Sequence, residues 1–261
     1  MNKKNLKDAE NWERIAPDYI KFLKQQKRTL KHLLFGSLFS ETISILGDVN
    51  GKLILDAGCG EGHLSRILAE RGALVEGCDV SKTLIKEADD IENRTKQGIK
   101  YFIHNITEPF AKSKLYDVVV ANNVIFDIYD YSKVFSNVSG VVKKGGLFIF
   151  SIIHPCFNIS KSQRYNLRYV GYQGGKISFA ITKSYKDHTS YQKDKIANFL
   201  IHGEVNHYHR PIESYVRSLT NRGFLINDLR EPILKLEQIY YKTDYHHHFL
   251  PKFLIISAIK S

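Results

Sequence analysis

At 261 residues, with 43% hydrophobic and 25% charged side chains, the chain has an ordinary globular composition and enough length to bury a full core. This excludes a disordered or fibrous protein, and the best apolar run, Gly146 to Ile153, falls far short of the roughly 20 residues that span a bilayer. The net charge of +11 raises an anionic partner such as RNA or an acidic metabolite, although Lys and Arg spread along the chain also describe a solvated basic face.

The charged start Met1-Asn2-Lys3-Lys4 leads into no apolar signal-peptide core, so the N-terminus is expected to be retained. Cys59, Cys78 and Cys156 are widely spaced and form no C-x-x-C pair, which fits a reducing cytoplasm better than a disulfide framework or a zinc knuckle. Neither a metal nor a membrane is expected.

From Asn11 to Leu46 the pattern is helical. Gly51 to Leu55 reads as a strand, followed by a glycine-rich turn and the helical spacing Leu64, Ile67, Leu68. Leu74 to Cys78 is a second strand, Lys82 to Thr95 a helix, Lys100 to His104 a third strand and Tyr116 to Ala121 a fourth. A helix from Tyr131 to Val142 and a turn at Lys143-Lys144-Gly145-Gly146 precede a fifth strand, Gly146 to Ile153. The alternation predicts an α/β fold, doubly wound on a mostly parallel sheet. From His154 to about His209 the chain is polar, aromatic and too long for an ordinary connection, so it is expected to be an insertion over the site. A helix from Pro211 to Asn221 and strands at Phe224 to Leu229 and Phe253 to Ile259 complete the pattern.

The chemistry concentrates in Asp56-Ala57-Gly58-Cys59-Gly60-Glu61-Gly62, where a strand turns into a helix through three glycines at alternate positions. Such glycines allow a close backbone approach, and free N–H groups at a helix start favour a negative group. Asp56, two residues before Gly58, would repel a pyrophosphate but suits the ammonium of a zwitterion. Asp79, at the end of the second strand, is placed to accept both hydroxyls of a ribose.

These residues resemble the class I S-adenosylmethionine (SAM)-dependent methyltransferases, and the likeness runs from Gly51 to Phe157. Asp56 to Gly62 is similar to that family's first motif and Gly77-Cys78-Asp79-Val80-Ser81 to its ribose-binding strand end. Tyr116 to Val124 and Val141 to Phe150 continue the match. The resemblance implies a seven-stranded sheet with its last strand antiparallel, and SAM, with S-adenosylhomocysteine (SAH) as product, across the carboxyl ends of the first strands. Cofactor contacts are then expected from Asp56, Ala57, Gly58, Cys59, Gly60 and Asp79. Val80 and Ile106 would sandwich the adenine, and Asn122 would approach the methionine part. Asn105 stands where many members carry an acid, and its amide oxygen is expected to meet the adenine amino group.

Ser151 to Phe157 and Tyr208 to Val216 resemble a narrower small-molecule subset, as does Trp12-Glu13-Arg14-Ile15-Ala16-Pro17-Asp18-Tyr19, whose tyrosine would cover the cofactor. By that likeness residues 1–46 form a helical lid on a methyltransferase domain of residues 47–261, with 154–209 building the acceptor pocket. Trp12, Phe126, Phe157, Tyr208 and Arg210 are the substrate-binding candidates, though such aromatics are as often plain core. His154 and His209 are the candidate bases, each with a plainer alternative: ordering the turn before Pro155 for His154, capping the following helix for His209. Cys156 reads as an inert thiol, and His246-His247-His248 as a solvated loop rather than a metal site. The expected activity is methyl transfer to a small-molecule hydroxyl, amine or carboxylate. An RNA or tRNA methyltransferase is the alternative, weakened because Ala121-Asn122-Asn123-Val124 lacks an Asn-Pro-Pro-aromatic tetrad.

Overall fold

In a computed structural model, the described residues are 2–25, 36–111, 114–157, 159–160, 167–173, 176–181, 191–195, 204–233 and 250–261. The chain opens with helices α1 (Lys3–Gln25) and α2 (Gly36–Leu46). Strand β1 (Leu53–Ala57), helix α3 (His63–Ala69), strand β2 (Leu74–Asp79), helix α4 (Lys82–Thr95), strand β3 (Lys100–Ile103) and strand β4 (Tyr116–Asn122) follow as expected to within two residues at each strand end. After a 3-10 turn (Ile125–Asp127) come helix α5 (Tyr131–Ser139) and strand β5 (Val142–Ile153). The chain closes with α6 (Ile212–Thr220), β11 (Phe224–Arg230) and β12 (Phe253–Lys260).

Seven strands form one sheet in the order β11-β12-β5-β4-β1-β2-β3. Strands β1 to β5 pair in parallel, and β12 runs antiparallel to both of its neighbours. Side chains on a strand point alternately to opposite faces, so the central strands feed two separate cores. Leu55, Ala57, Val119, Ala121, Phe148 and Phe150 pack on one face with Phe135 of α5 and Tyr215 of α6. Ile54, Val118, Val120 and Ile149 pack on the other with Leu38 of α2 and Leu64 and Leu68 of α3. This is the doubly wound seven-stranded architecture that the resemblance implies, and it explains the continuous apolar runs of β4 and β5.

Four boundaries differ from the sequence reading. The helix expected to reach Val142 stops at Ser139, and the turn at Lys143 to Gly146 lies within β5. There the register jumps, since Tyr116 pairs with Val142 but Val118 pairs with Leu147, so β5 carries three extra residues against β4. Gly146 permits it: a Cβ would stand 2.8 Å from the Asp117 carbonyl. The first helix starts at Lys3 rather than Asn11, and Pro211 caps α6 instead of opening it. The insertion holds strands β6 (Ile159–Ser160), β7 (Leu167–Gln173) and β8 (Lys176–Ile181) in one small sheet, and β9 (Tyr191–Lys195) with β10 (Glu204–Tyr208) in another.

Helix α1 is tied to the body by polar groups. Glu13 accepts from Ser81 Oγ at 2.5 Å and from Thr83 Oγ1 at 2.8 Å at the start of α4, the end where a helix favours negative charge. Asp8 accepts from Asn206 Nδ2 at 2.7 Å and from the Tyr129 N–H at 3.1 Å.

Candidate functional site

The carboxyl ends of β1, β2 and β4 meet under α1 around a cavity of about 160 Å³. In open parallel sheets this end of the strands is where ligands bind, because the connecting loops diverge there. The β1 end supplies Asp56, Gly58, Cys59, Gly60 and Glu61, and the β2 end supplies Asp79 and Val80. Asn105 and Ile106 come from the segment after β3, Asn122 and Asp127 from the end of β4 and beyond, and Asp8, Trp12 and Tyr19 from α1. Ala57 is fully buried in the core behind this wall.

Asp79 is 8% exposed and accepts the Gly60 N–H at 3.0 Å on Oδ2 and the Ser81 N–H at 2.9 Å on Oδ1. Burial pushes its carboxyl above the usual range, while those amides pull the other way. Asp56 accepts the Ser65 hydroxyl at 2.6 Å, and its carboxyl is pushed up to about 6, chiefly by burial and further by the nearby Asp79 charge. Burial also raises the Tyr19 hydroxyl, and the charges of Glu61, Asp127 and Asp79 add to this.

The glycine loop works differently from the expectation of free amides. The N–H groups of Gly58 and Cys59 donate to the Cys78 carbonyl at 2.7 and 2.9 Å, and that of Gly60 is taken by Asp79. The loop therefore locks β1 to β2 and aims an acid, rather than offering an anion nest. Gly58 is at φ +81°, and a Cβ there would meet Val124 Cγ2 at 2.6 Å, so glycine is required by both conformation and space.

Asn105 Oδ1 accepts from the Thr107 N–H at 3.0 Å and the Thr107 hydroxyl at 2.9 Å, which makes its oxygen a turn former. Asn122 Oδ1 accepts the Ser151 hydroxyl at 2.6 Å.

The two candidate bases stand apart from this cavity. His154 is 1% exposed, with Nδ1 accepting the Cys156 N–H at 3.1 Å and Nε2 2.7 Å from Glu231 Oε1. Because Nδ1 accepts, the ring proton sits on Nε2 and faces Glu231, so both nitrogens are engaged. Phe157 packs against this ring at 4.7 Å between centroids and is not part of the cavity lining. His209, Arg210, Tyr208 and Phe126 line a second, smaller cleft together with His207. Arg210 braces the turn after β4, donating to the Ile128 and Tyr129 carbonyls while its guanidinium lies 4.5 Å from the Tyr131 ring centre. Tyr208 donates to Asp8 at 3.0 Å. Of the candidates for acceptor contact, only Trp12 lines the main cavity.

Sequence reading missed Asp8, Glu61 and Asp127. Together with Asp56 and Asp79 they give the described lining five carboxylates and no lysine or arginine. Glu61 is ion-paired with Arg66. Burial raises the Asp8 carboxyl too, against its hydrogen bonds from Asn206 and Tyr129. Among the described residues no cluster of three or more His, Cys, Asp or Glu could hold a metal, and no helix is long and apolar enough to cross a membrane. His246-His247-His248 lies outside the described residues.

Residues 55–150 match the family model of the methyltransferase domain. The ubiquinone biosynthesis O-methyltransferase of Coxiella burnetii is 31% identical over 109 residues, covering 42% of this chain and 47% of that protein. That of Nitrosomonas europaea is 33% identical over 113 residues, again with 47% of its length covered. The chain thus spans about half the length of the curated relatives it matches. A putative S-adenosylmethionine dependent methyltransferase from Listeria monocytogenes superposes with a TM-score of 0.72 at 28% identity, covering 88% of this chain and 99% of that one. Fold and matched segment are thus similar to those of S-adenosylmethionine-dependent methyltransferases. The matched segment is similar to the ubiquinone biosynthesis O-methyltransferases.

Proposed function

We propose that the protein is a SAM-dependent methyltransferase that acts in the cytoplasm on a small-molecule hydroxyl, amine or carboxylate. One observation carries this reading: a chain of net charge +11 directs five carboxylates and no described lysine or arginine into the cavity at the ends of its parallel strands. A ligand with a sulfonium and an ammonium suits such a lining, and a polyanion does not.

The residues fit that cofactor. Asp79 accepts backbone amides at the cavity wall, and its carboxylate suits a ribose hydroxyl. Asp56 suits the ammonium, Val80 and Ile106 the adenine faces, and Asn122 the methionine part. A Cβ at Gly60 would meet nothing within 4 Å, so the loop leaves room for close approach. When bound, SAM supplies a methyl group on a neutral leaving group. The chain's own residues orient the acceptor in line, exclude water and receive one proton from a hydroxyl or ammonium acceptor. Residues 1–46 serve as the lid in this reading, and 154–209 supply acceptor contacts.

The printed name of the Coxiella burnetii relative favours a hydroxyl acceptor. RNA is the second reading, supported by the net charge but opposed by the acidic lining. Incubating the protein with methyl-labelled SAM and cell extract distinguishes them: label in the small-molecule fraction is expected, label in RNA would establish the alternative, and no transfer would refute both.

Affinity for SAM should also depend on pH. With its carboxyl pushed up to about 6, Asp56 favours the protonated form in the free protein, and an ammonium partner favours the ionised one. Affinity is therefore expected to rise through pH 6 and level off above it, by roughly tenfold between pH 5 and pH 7.5. Calorimetry across that range should also find proton release at the acidic end, and a flat profile would remove Asp56 from the ammonium site.

A further inference from the structure

A methyltransferase that acts on an O–H or ammonium must discharge a proton from a buried place, and the sequence's two histidine candidates lie elsewhere. On the cavity wall, Asp8 is held by Asn206, Tyr208 and the Tyr129 amide, and Asp56 and Asp79 belong to the cofactor end. Asp127 occupies a different position. It ends the 3-10 turn five residues beyond the end of β4, is 3% exposed, and faces the main cavity beside Ile128. Its Oδ1 stands 3.3 Å from Nε2 of His207 on β10. The His207 ring meets Phe126 edge-on at 5.1 Å and lines the second cleft with Phe126, Pro155 and Tyr208. One carboxylate on the main cavity and one imidazole on the neighbouring cleft thus form a continuous pair through the wall between them.

We infer that Asp127 and His207 form a proton relay, Asp127 taking the acceptor's proton at the main cavity and His207 receiving it. The inference rests on the methyltransferase reading and applies to acceptors that lose a proton. As the acceptor's lone pair forms its bond to the methyl carbon, the carbon–sulfur bond breaks and its electron pair stays on sulfur. The O–H or N–H proton moves to Asp127 and passes to His207 Nε2, leaving an imidazolium beside the restored carboxylate. Asp127 is the catalytic residue and His207 the group that receives from it. Charged and titratable neighbours are Asp8 and Tyr19 of α1, Tyr208 of β10, His209 and Arg210 after it, and Tyr215 of α6. Asp127 is the carboxylate that the structure places against the His207 ring.

The test uses the full chain saturated with SAH. Calorimetric SAH binding checks the underlying reading by itself, and its absence would refute that reading without bearing on the pair. In SAH-bound protein, the imidazole titration of His207, assigned by NMR through its loss in His207→Gln, is expected to move down by about one pH unit or more in Asp127→Asn, because the charge favouring imidazolium is gone. With labelled SAM and the small-molecule fraction of a cell extract as acceptor source, His207→Gln is expected to lower transfer about 10²-fold at neutral pH and flatten the pH profile. SAH affinity should stay within twofold. An unmoved His207 titration in Asp127→Asn, or a His207→Gln profile of wild-type shape, overturns the relay.

Discussion

Asp79→Ala is expected to weaken SAM binding by about 1–3 kcal/mol, roughly 5- to 150-fold, because charged hydrogen bonds in a buried site are worth that much. The carboxylate has a double task. It suits a ribose hydroxyl and also anchors the Gly60 and Ser81 amides at 3.0 and 2.9 Å, so alanine removes ligand contacts and leaves two donors without their acceptor. Asp79→Asn keeps one acceptor and should fall between wild type and alanine. Calorimetry on the folded variants measures this directly, and wild-type affinity in Asp79→Ala would detach Asp79 from the cofactor.

The largest effect on stability is expected from Phe135→Ala. Phe135 is fully buried on α5, with ring centres 5.4 Å from Phe148 and 5.0 Å from Phe150 of β5 and 5.6 Å from Tyr131. Truncation loses the transfer free energy of a ring and leaves a cavity that neighbouring aromatics fill poorly, a cost of about 3–5 kcal/mol. Urea unfolding should show a lower midpoint with an unchanged slope. Phe135 does not line the main cavity, so SAM affinity of the folded fraction should hold. A loss below about 1 kcal/mol would mean that the sheet face repacks around the gap.

The same contrast between local pattern and packing decides what could be read in advance. Strands β1, β4 and β5 announce themselves as short runs rich in apolar residues, and α4 spans Lys82 to Thr95 as its pattern predicts. The first half of α1 gave no such signal: its buried face is Asn5, Asp8 and Asn11, a helical period written in polar residues that hydropathy does not register. The register shift in β5 was hidden for a related reason, since Lys143 to Gly146 has turn chemistry whether or not the ladder continues through it.

In the candidate site, Asp56, the glycines, Asp79 and Asn122 were legible because a strand end fixes the place of the residue that follows it. His154 was not, because its position beside the last strand said nothing of Glu231, 77 residues away. Nor could Asp127 be paired with His207, since β10 is brought to the 3-10 turn only by the folding of the insertion.

The sequence by itself thus determined the doubly wound sheet and the acids at its strand ends, because strand period and glycine turns are local properties of the chain. Tertiary structure alone decided that the loop amides serve the Cys78 carbonyl and Asp79, that an acidic cavity lies inside a basic protein, and which histidine meets a carboxylate. Those facts depend on distances between residues far apart in sequence, where burial and pairing set charge, and no local pattern encodes them.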